Sequence, residues 1–424
     1  MVNIKKLSAV IVFSVGLSFC FGQCAKYEPA DNTALLIMGQ DLGANGGFSS
    51  PDNAGYHEQV NTETPAGVTT YTSIPSLNGL FNYDNYGAGN VCAECIVNSP
   101  NYNNSSLVIG LYMVNQLNAT ANGTYDNKID ELGNWIKATG RPVFLRIGYE
   151  FEYQYGSENP QSFISAYKRI VDRFELLGVA NCAFVWQAAA GVDPWSHLSQ
   201  WYPGDNYVDW FGYSHFAYNG STMIAIARSK GKPVMIAEAT PINWRLHEAD
   251  GNFAWNSWFQ PMFDHIEENK DVIKALAYIN QNWDIQPLWQ GQNWGNSRVQ
   301  DNPVVLQKWI DEISKPFWIK ASPTLFNSLD NCGEVIAFND WGTKHPITIS
   351  PNPATDVLLI QSNQLDTHIT KVTLLSPTGE LTPVNPQYPH STTTTIDLSD
   401  LNPGMYIIRI ETNTGSLTQK VLKQ

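Results

Sequence analysis

Two glutamates, each closing an apolar segment, are the residues best suited to acid–base or nucleophilic chemistry. Glu150 ends the segment "VFLRIGYE" and Glu238 ends the segment "KPVMIAE". Side chains alternate along an extended strand, so Arg146 shares a face with Glu150, and Val143, Leu145 and Ile147 lie on the other face. Glu238 lies in phase with Val234 and Ile236. A pair of carboxyl groups can act as a proton donor and a nucleophile if the fold brings them together.

Eight short apolar runs follow one another along the first 280 residues, and amphipathic stretches separate several of them. Strand and helix in alternation predict a parallel sheet with helical crossovers, and eight repeats match the size of a closed (β/α)8 TIM barrel. A doubly wound open sheet is the alternative, but the glycine spacing after the first run lacks the phosphate-binding GxGxxG pattern. The predicted strands are Ala34–Asp41, Val68–Ser73, Leu107–Met113, Val143–Glu150, Ala183–Gln187, Val208–His215, Val234–Glu238 and Ile273–Asn280, and the predicted helices are Asp126–Ala138, Pro160–Leu177, Ser221–Lys230 and Trp255–Asn269.

In such a barrel the active site lies at the carboxyl ends of the strands, where Glu150 and Glu238 close strands four and seven. Glycoside hydrolysis needs this pair: one carboxylic acid protonates the leaving oxygen, and in retaining enzymes the second carboxylate attacks the sugar. A salt bridge from Arg146 to Glu150 and a solvated position for Glu238 are the purely structural alternatives. Because two glutamates occupy these two strands, we expect catalysis by the retaining route.

The same region resembles clan A glycosidases and, more narrowly, glycoside hydrolase family 26, a family of β-mannanases with some β-1,3-xylanases. The strings that carry the resemblance are "RPVFLRIGYEFE", "NCAFVWQ", "WYPGDNYVDWFGYSHF" and "KPVMIAEA". The resemblance implies that Glu150 is the acid/base and Glu238 the nucleophile. Tyr149 departs from the histidine that family 26 usually has before its acid/base, which leaves the sugar open.

The candidate substrate-binding residues are those that strand position or loop chemistry puts at the same rim. The resemblance to clan A implies that Trp283, just past strand eight, forms a platform under the sugar, and a buried loop anchor is the alternative. Tyr213 or His215 on strand six is expected to hydrogen-bond Glu238. Such donors would keep the pKa of Glu238 low. The sequence has 14 Trp residues, which indicate either a large aromatic-rich core or tryptophans that line a cleft, and those in the loops are expected to line a cleft. Arg146 would orient Glu150 or belong to a network at the barrel floor, and Asp41 and Gln187 would be sugar-hydroxyl contacts or satisfied strand ends. The remaining candidates are tryptophans, of which Trp201 could instead anchor its loop: Trp186, Trp195, Trp201, Trp244, Trp289 and Trp294.

The last eighty residues read as a small C-terminal antiparallel β-sandwich. Short alternating runs are separated by turn sequences such as "PNP", "PTG" and "NPG". The strings "ISPNPATD", "LLSPTGE" and "IDLSDLNPGMYIIRI" resemble the C-terminal sorting domain of the Bacteroidetes type IX secretion system, over about 346–424. A carbohydrate-binding module is the competing interpretation, but Tyr388 and Tyr406 are the segment's only aromatic residues.

The N-terminus has the pattern of a signal peptide, because Lys5 and Lys6 precede an apolar stretch and Cys20 and Gly22 suit a cleavage site. A lipoprotein anchor at Cys20 or Cys24 is the alternative. We expect a signal peptide at 1–22, a catalytic barrel at 23–325, a linker at 326–345 and the sorting domain at 346–424.

Export permits disulfides, and five cysteines remain after the signal peptide. We expect a local bridge between Cys92 and Cys95, a buried free thiol at Cys182, and a bond between Cys24 and Cys332 that the sequence does not settle.

The net charge of −14 argues against a nucleic-acid partner. No metal-binding pattern is present, so no metal or other cofactor is expected. The expected partners are a polysaccharide substrate and the type IX secretion machinery, and the chain is expected to be a monomer outside the cell or on its outer surface. Within enzymes, another algal or plant β-glycan is the alternative substrate. A non-catalytic surface glycan-binding protein is the alternative of another class.

Overall fold

The computed structural model describes residues 24–48, 55–60, 64–330, 347–362, 367–375, 381–384, 391–413 and 416–424. The expected signal peptide at 1–22, the larger part of the expected linker at 326–345, and Cys332 lie outside the described residues. No described helix is long and apolar enough to cross a membrane.

Eight parallel strands close into a barrel, as the sequence predicts. Each strand pairs with the next one along the chain, and strand eight returns to strand one, with Leu35 opposite Ala275 and Gly39 opposite Ile279. A two-residue segment, Trp318–Ile319, adds to the outer side of strand one. The barrel strands, in order, are Ala34–Gly39, Gly67–Ser73, Ser106–Tyr112, Val143–Ile147, Cys182–Ala188, Trp210–His215, Val234–Ala239 and Ile273–Ile279.

Helices and short helical turns connect the strands and cover the barrel. The crossover helices that the apolar periodicity predicted lie within one residue of their expected bounds after strands three, four and six. After strand seven, the predicted stretch begins with a π-helical turn at Trp255–Phe259 and continues as an α-helix, and the helix Pro303–Ile313 after strand eight was not predicted. The described α-helices are Leu42–Asn45, Tyr56–Val60, Ala93–Asn98, Leu117–Ala121, Asp126–Thr139, Phe151–Gln154, Pro160–Leu177, Trp195–Leu198, Ser221–Lys230, Gly251–Ala254, Gln260–Glu268, Pro303–Ile313 and Leu325–Asp330.

The barrel interior is a packed core with a closed base. Phe144 and Trp210 meet edge to face at 5.2 Å inside it, surrounded by small residues from the other strands. Tyr27, from the segment before strand one, packs on Phe144 from below at 5.8 Å. Leu325 and Leu329 of the last barrel helix belong to the same cluster. The chain is therefore packed against the barrel up to at least residue 329, beyond the expected boundary at 325.

The C-terminal segment forms two antiparallel sheets, as predicted. One has the strands Ile347–Ser350, Val357–Ser362 and Thr393–Asp397, and the other has Ile369–Leu375, Leu381–Val384, Gly404–Thr412 and Ser416–Lys423. Alternate aliphatic side chains of both sheets are buried together, including Leu358, Ile396 and Ile408. This segment therefore has a hydrophobic core of its own.

Two of the cysteine predictions are confirmed. Cys92 and Cys95 form a disulfide within the loop after strand two. Cys182 is a buried free thiol at the start of strand five. The predicted bond of Cys24 involves Cys332, which lies outside the described residues.

Candidate active site

Strand alternation directs a set of polar side chains into the top of the barrel. On strand four, the apolar residues Val143, Leu145 and Ile147 face the helices, and Arg146 points inward, as expected. On strand seven, Val234 and Ile236 also face the helices. A register shift against strand six then places Glu238 beside Ser214 and turns it inward. Strict alternation from Ile236 would have directed Glu238 away from the site, so the bulge is required for its position.

Glu238 is held by three hydrogen bonds to one of its two carboxylate oxygens. Arg146 donates from both terminal nitrogens to Oε1, at 2.9 and 2.8 Å, and the Tyr71 hydroxyl donates to the same oxygen at 3.0 Å. Arg146 also donates to the carbonyl of Ala237 at 3.0 Å. None of these three bonds uses Oε2. Arg146 was expected to orient Glu150, and its ion pair is instead with Glu238.

Arg146 is itself fixed between two aromatic rings. Its guanidinium carbon lies 5.1 Å from the ring centre of Tyr71 and 4.9 Å from that of Tyr149. The side chain is fully buried. Cation–π contacts of this kind are stronger away from water, and they leave the planar group little freedom to rotate.

Burial raises the pKa of Glu238 to about 7, and the charge of Glu150 acts in the same direction. The charge of Arg146 and the hydrogen bonds from Tyr71 and Gln187 act against this shift, because they stabilise the ionised form. The expectation that donors would keep the pKa of Glu238 low was therefore wrong. The donors are present, but removal of the carboxylate from water outweighs them.

Glu150 lies in the turn that leaves strand four. Gly148 and Glu150 both have left-handed backbones, with φ of 57° and 53°. A side chain at Gly148 would approach Phe163 to 2.6 Å, so this turn requires glycine there. A left-handed backbone is uncommon for glutamate and is found most often where function requires it.

The two carboxylate oxygens of Glu150 each accept a hydrogen bond. Ser214 donates to Oε1 at 2.7 Å, and Gln154, one helical turn further on, donates to Oε2 at 3.1 Å. Gln187 on strand five donates to Ser214 at 3.0 Å, which makes a chain of bonds from Gln187 through Ser214 to Glu150. The buried Oε1 of Gln187 has no partner among the described residues. Gln187 thus lies in the site, as expected, and its side-chain oxygen has no hydrogen-bond donor among the described residues.

Tyr213 and His215 do not hydrogen-bond Glu238. Both face the helices, because they alternate with the inward residues Gly212 and Ser214. The Tyr213 hydroxyl lies 3.3 Å from Nε2 of His265, and the His215 ring also packs on His265. Burial lowers the pKa of His215 to about 4. Tyr71 on strand two takes the role that was expected of Tyr213.

Trp186 and Trp201 are core residues. Trp186 stacks on Phe151 at 4.4 Å, on the helix side of strand five, and donates from Nε1 to the carbonyl of Trp201. Trp201 packs on Phe151 and Phe163 and is buried. The prediction that they bind substrate was wrong, because both project away from the barrel axis.

Trp283 follows strand eight as expected, but it is 2% exposed. Trp289 and Trp294 cover it, with ring centres 5.4 and 5.3 Å from its own. Both covering rings are only partly buried. Trp283 therefore lies beneath Trp289 and Trp294, and these two rings form the accessible aromatic surface.

Asp41 acts as the cap of a short helix. Its Oδ1 accepts from the backbone of Gly43 and Ala44, and its Oδ2 accepts from the side chain of Gln281. These bonds match the structural alternative, a satisfied strand end, rather than a free contact for a sugar hydroxyl.

Sequence reasoning did not find Tyr71, Ser214 or Gln154. Strand two has the sequence "GVTTYTS", in which threonines occupy both faces. The pattern of polar residues therefore does not show whether Tyr71 points into the barrel or toward the helices. Ser214 lies between the two residues that were proposed. The phase of strand six was not readable from polarity, because Trp210 and Phe211 are both apolar and face opposite sides of the sheet.

Exposed aromatic side chains surround the catalytic end of the barrel. Tyr83 and Tyr86 stand on the loop after strand two, Tyr112 ends strand three, and Tyr153 and Tyr218 follow strands four and six. Leu288, from the loop after strand eight, donates its backbone N–H to the carbonyl of Gly87 at 2.8 Å. These loops therefore form an aromatic rim around the glutamates. Among the described residues, no group of three or more His, Cys, Asp or Glu side chains could hold a metal ion.

Comparison with known proteins adds relatives for both parts of the chain. Residues 348–424 match the secretion system C-terminal sorting domain. A β-1,3-xylanase from an Alcaligenes species is 32% identical over 357 residues, which cover 77% of this chain and 73% of that protein. The β-1,3-xylanase TXYA from a Vibrio species is also 32% identical, over 70% of this chain and 68% of that protein. The crystal structure of a modular endo-β-1,4-mannanase of glycoside hydrolase family 26 from Cellulomonas fimi aligns with a TM-score of 0.50 and 14% identity, covering 94% of this chain and 99% of that one, which shows a shared fold.

Proposed function

Since the chain belongs to glycoside hydrolase family 26, together with these β-1,3-xylanases, we propose that it is an endo-β-1,3-xylanase in which Glu150 and Glu238 carry the reaction. It is a glycoside hydrolase, and its sorting domain directs it through type IX secretion to the outside of the cell or its outer surface. We propose, beyond this, the polysaccharide that it cleaves and the roles of its individual residues.

The observation that supports Glu238 as the nucleophile is its one-sided set of hydrogen bonds. Arg146 and Tyr71 both hold Oε1, and we propose that Oε2 is the oxygen that attacks the anomeric carbon. The same donors stabilise the carboxylate again when it leaves the glycosyl–enzyme intermediate.

Glu150 supplies the proton in the first step and removes one in the second. As an acid it protonates the oxygen between the two sugars while Glu238 forms the covalent bond, and as a base it then activates the water that hydrolyses this bond. Two inversions at the same carbon leave the product with the anomeric configuration of the substrate. Ser214 and Gln154 fix the carboxyl group of Glu150 for both steps.

A β-1,3-linked xylan is favoured over mannan by the relatives, because the proteins that are 32% identical across most of their length are β-1,3-xylanases. The aromatic rim is consistent with a polymer that contacts several loops at once. We propose that the catalytic barrel and the sorting domain fold separately, with the 331–346 segment joining them, and that the enzyme acts as a monomer.

A polysaccharide panel tests this function. Wild-type protein is incubated with β-1,3-xylan, β-1,4-xylan, β-1,4-mannan and β-1,3-glucan, and new reducing ends are measured, with Glu150→Gln as the matched control. We expect rapid release of oligosaccharides from β-1,3-xylan only. Cleavage of another glycan alone would refute the substrate, and binding without cleavage would favour a surface glycan-binding protein.

A further inference from the structure

A cavity outside the glutamate site opens beside the end of strand six. Its volume is about 460 Å³. It lies between the loop that follows this strand and the π-helical turn Trp255–Phe259 with the helix after it. The lining residues are His215, Phe216, Ala217, Tyr218, Asn219, Ser257, Trp258, Pro261 and His265.

The walls combine aromatic faces with polar groups. Tyr218 is 60% exposed, and Phe216 and Trp258 are partly buried. Trp258 donates from Nε1 to the carbonyl of Phe216 at 3.1 Å, so the two walls are fixed relative to each other. Asn219 and Ser257 are exposed at the same opening. A sugar ring presents C–H groups on its faces and hydroxyls at its edge, and such a lining matches both surfaces.

The cavity adjoins the catalytic centre at Phe216. Phe216 lies two residues after Ser214, the residue that hydrogen-bonds Glu150. The Phe216 ring packs against Trp294 at 5.2 Å, and Trp294 packs against Trp283 at 5.3 Å. A chain that crosses the accessible face of Trp294 therefore reaches Phe216 and the cavity behind it.

We infer that this cavity is a distal sugar-binding subsite, which holds one or two rings of the polysaccharide while another bond of the same chain lies between Glu150 and Glu238. The inference rests on the proposed function. A volume of about 460 Å³ falls within the range of about 300–1,000 Å³ usual for small-molecule sites, which suits a short stretch of sugar rather than a whole chain. The subsite is therefore engaged by long chains and left empty by short ones.

Binding measurements with chain length as the variable test the inference. In an inactive Glu150→Gln background, calorimetry gives the affinity for β-1,3-linked xylotriose, xylo-octaose and the polymer. Tyr218→Ala removes an exposed wall, and Ser257→Trp fills the cavity from the other side. We expect each to weaken binding of the octaose and the polymer about 10-fold, as removal of a single aromatic contact does, with the triose unchanged.

Tyr207→Ala is the matched control. Tyr207 precedes strand six, at the opposite end of the barrel, and Lys168 packs over its ring. This variant should bind all three ligands like the parent, and thermal melting checks that every variant is folded. If both cavity variants bind the octaose as tightly as the parent, the subsite does not exist. If the cavity variants also bind the triose less tightly, the cavity belongs to the central site and the distal placement is wrong.

Failure of the proposed substrate is distinguishable from failure of the subsite. If the wild type cleaves a different glycan in the panel, the same comparison is made with short and long chains of that glycan. If the wild type cleaves none, both the proposed function and the subsite are refuted.

Discussion

Replacement of Tyr71 by phenylalanine should move the acid limb of the kcat/KM profile to higher pH. The change deletes the hydroxyl that donates to Glu238 Oε1 at 3.0 Å, and it keeps the ring that packs on Arg146. A hydrogen bond to the charged form of an acid lowers its pKa, so loss of the bond raises the pKa of Glu238. Because Glu238 must be ionised to attack, the pH at which activity appears rises with it.

The size of the shift follows from the bond that is lost. A hydrogen bond to a charged group contributes about 1.5–3 kcal/mol, and one pKa unit corresponds to about 1.4 kcal/mol. Arg146 keeps both of its bonds to the same oxygen, so the lower end applies and the shift is about one unit. From a pKa of about 7 for Glu238 in the wild type, the acid limb should move to about 8. Activity at pH 6 should fall about 10-fold, and the loss should shrink as the pH rises.

Initial rates at low substrate concentration across the pH range give kcat/KM for both proteins. Tyr149→Phe is the control, because Tyr149 also packs on Arg146, and no bond from its hydroxyl to Glu238 is found in the described part of the chain. It should leave the acid limb in place. A uniform drop in the Tyr71→Phe rate at every pH, with an unmoved limb, would show that Glu238 is not the group that titrates.

Three further outcomes are expected. Glu150→Gln and Glu238→Ala should each lower turnover about 10³-fold or more, and azide should restore the first with retention and the second with inversion; near-wild-type rates in both would refute the assignment. A chain that ends at residue 345 should keep full activity on soluble substrate, because the base of the barrel is completed by Leu325 and Leu329; a folded but inactive product would show that the tail forms part of the site. Phe144→Ala should lower the free energy of unfolding by about 3–5 kcal/mol in a denaturant titration, since it removes a buried ring between Tyr27 and Trp210; a loss below about 1 kcal/mol would contradict this packing.

The barrel was predictable from the sequence because its signal repeats. Parallel strands buried on both sides appear as apolar runs, and eight of them with amphipathic segments between leave few alternatives. The inward position of Arg146 also followed, since it lies between the apolar residues Leu145 and Ile147, which face the helices. The two sheets of the C-terminal segment could be predicted for the same reason, because short apolar runs alternate with turn sequences.

The partners of the glutamates could not be predicted, because they depend on register between distant strands. Arg146 reaches across the barrel to Glu238 rather than to Glu150, which is only four residues away in the sequence. Glu238 itself turns inward only through the bulge beside Ser214. The tryptophans were misassigned for a related reason: Trp186 alternates with Gln187, and only the packing shows which of the two faces the helices.

Covalent trapping of the nucleophile tests the central claim most directly. A 2-deoxy-2-fluoro-β-xylobiosyl fluoride with a β-1,3 linkage should react with the wild type and stop at the glycosyl–enzyme. The fluorine at C2 slows both steps, and the anomeric fluoride is a leaving group good enough to keep formation of the intermediate faster than its hydrolysis. Mass spectrometry of the digested protein should find the added sugar on Glu238, in the peptide containing "VMIAEA". Glu238→Gln should take up no label. A label on any other residue, or a wild type that turns over the β-linked polymer to give the α-anomer first, would contradict the two-glutamate retaining mechanism.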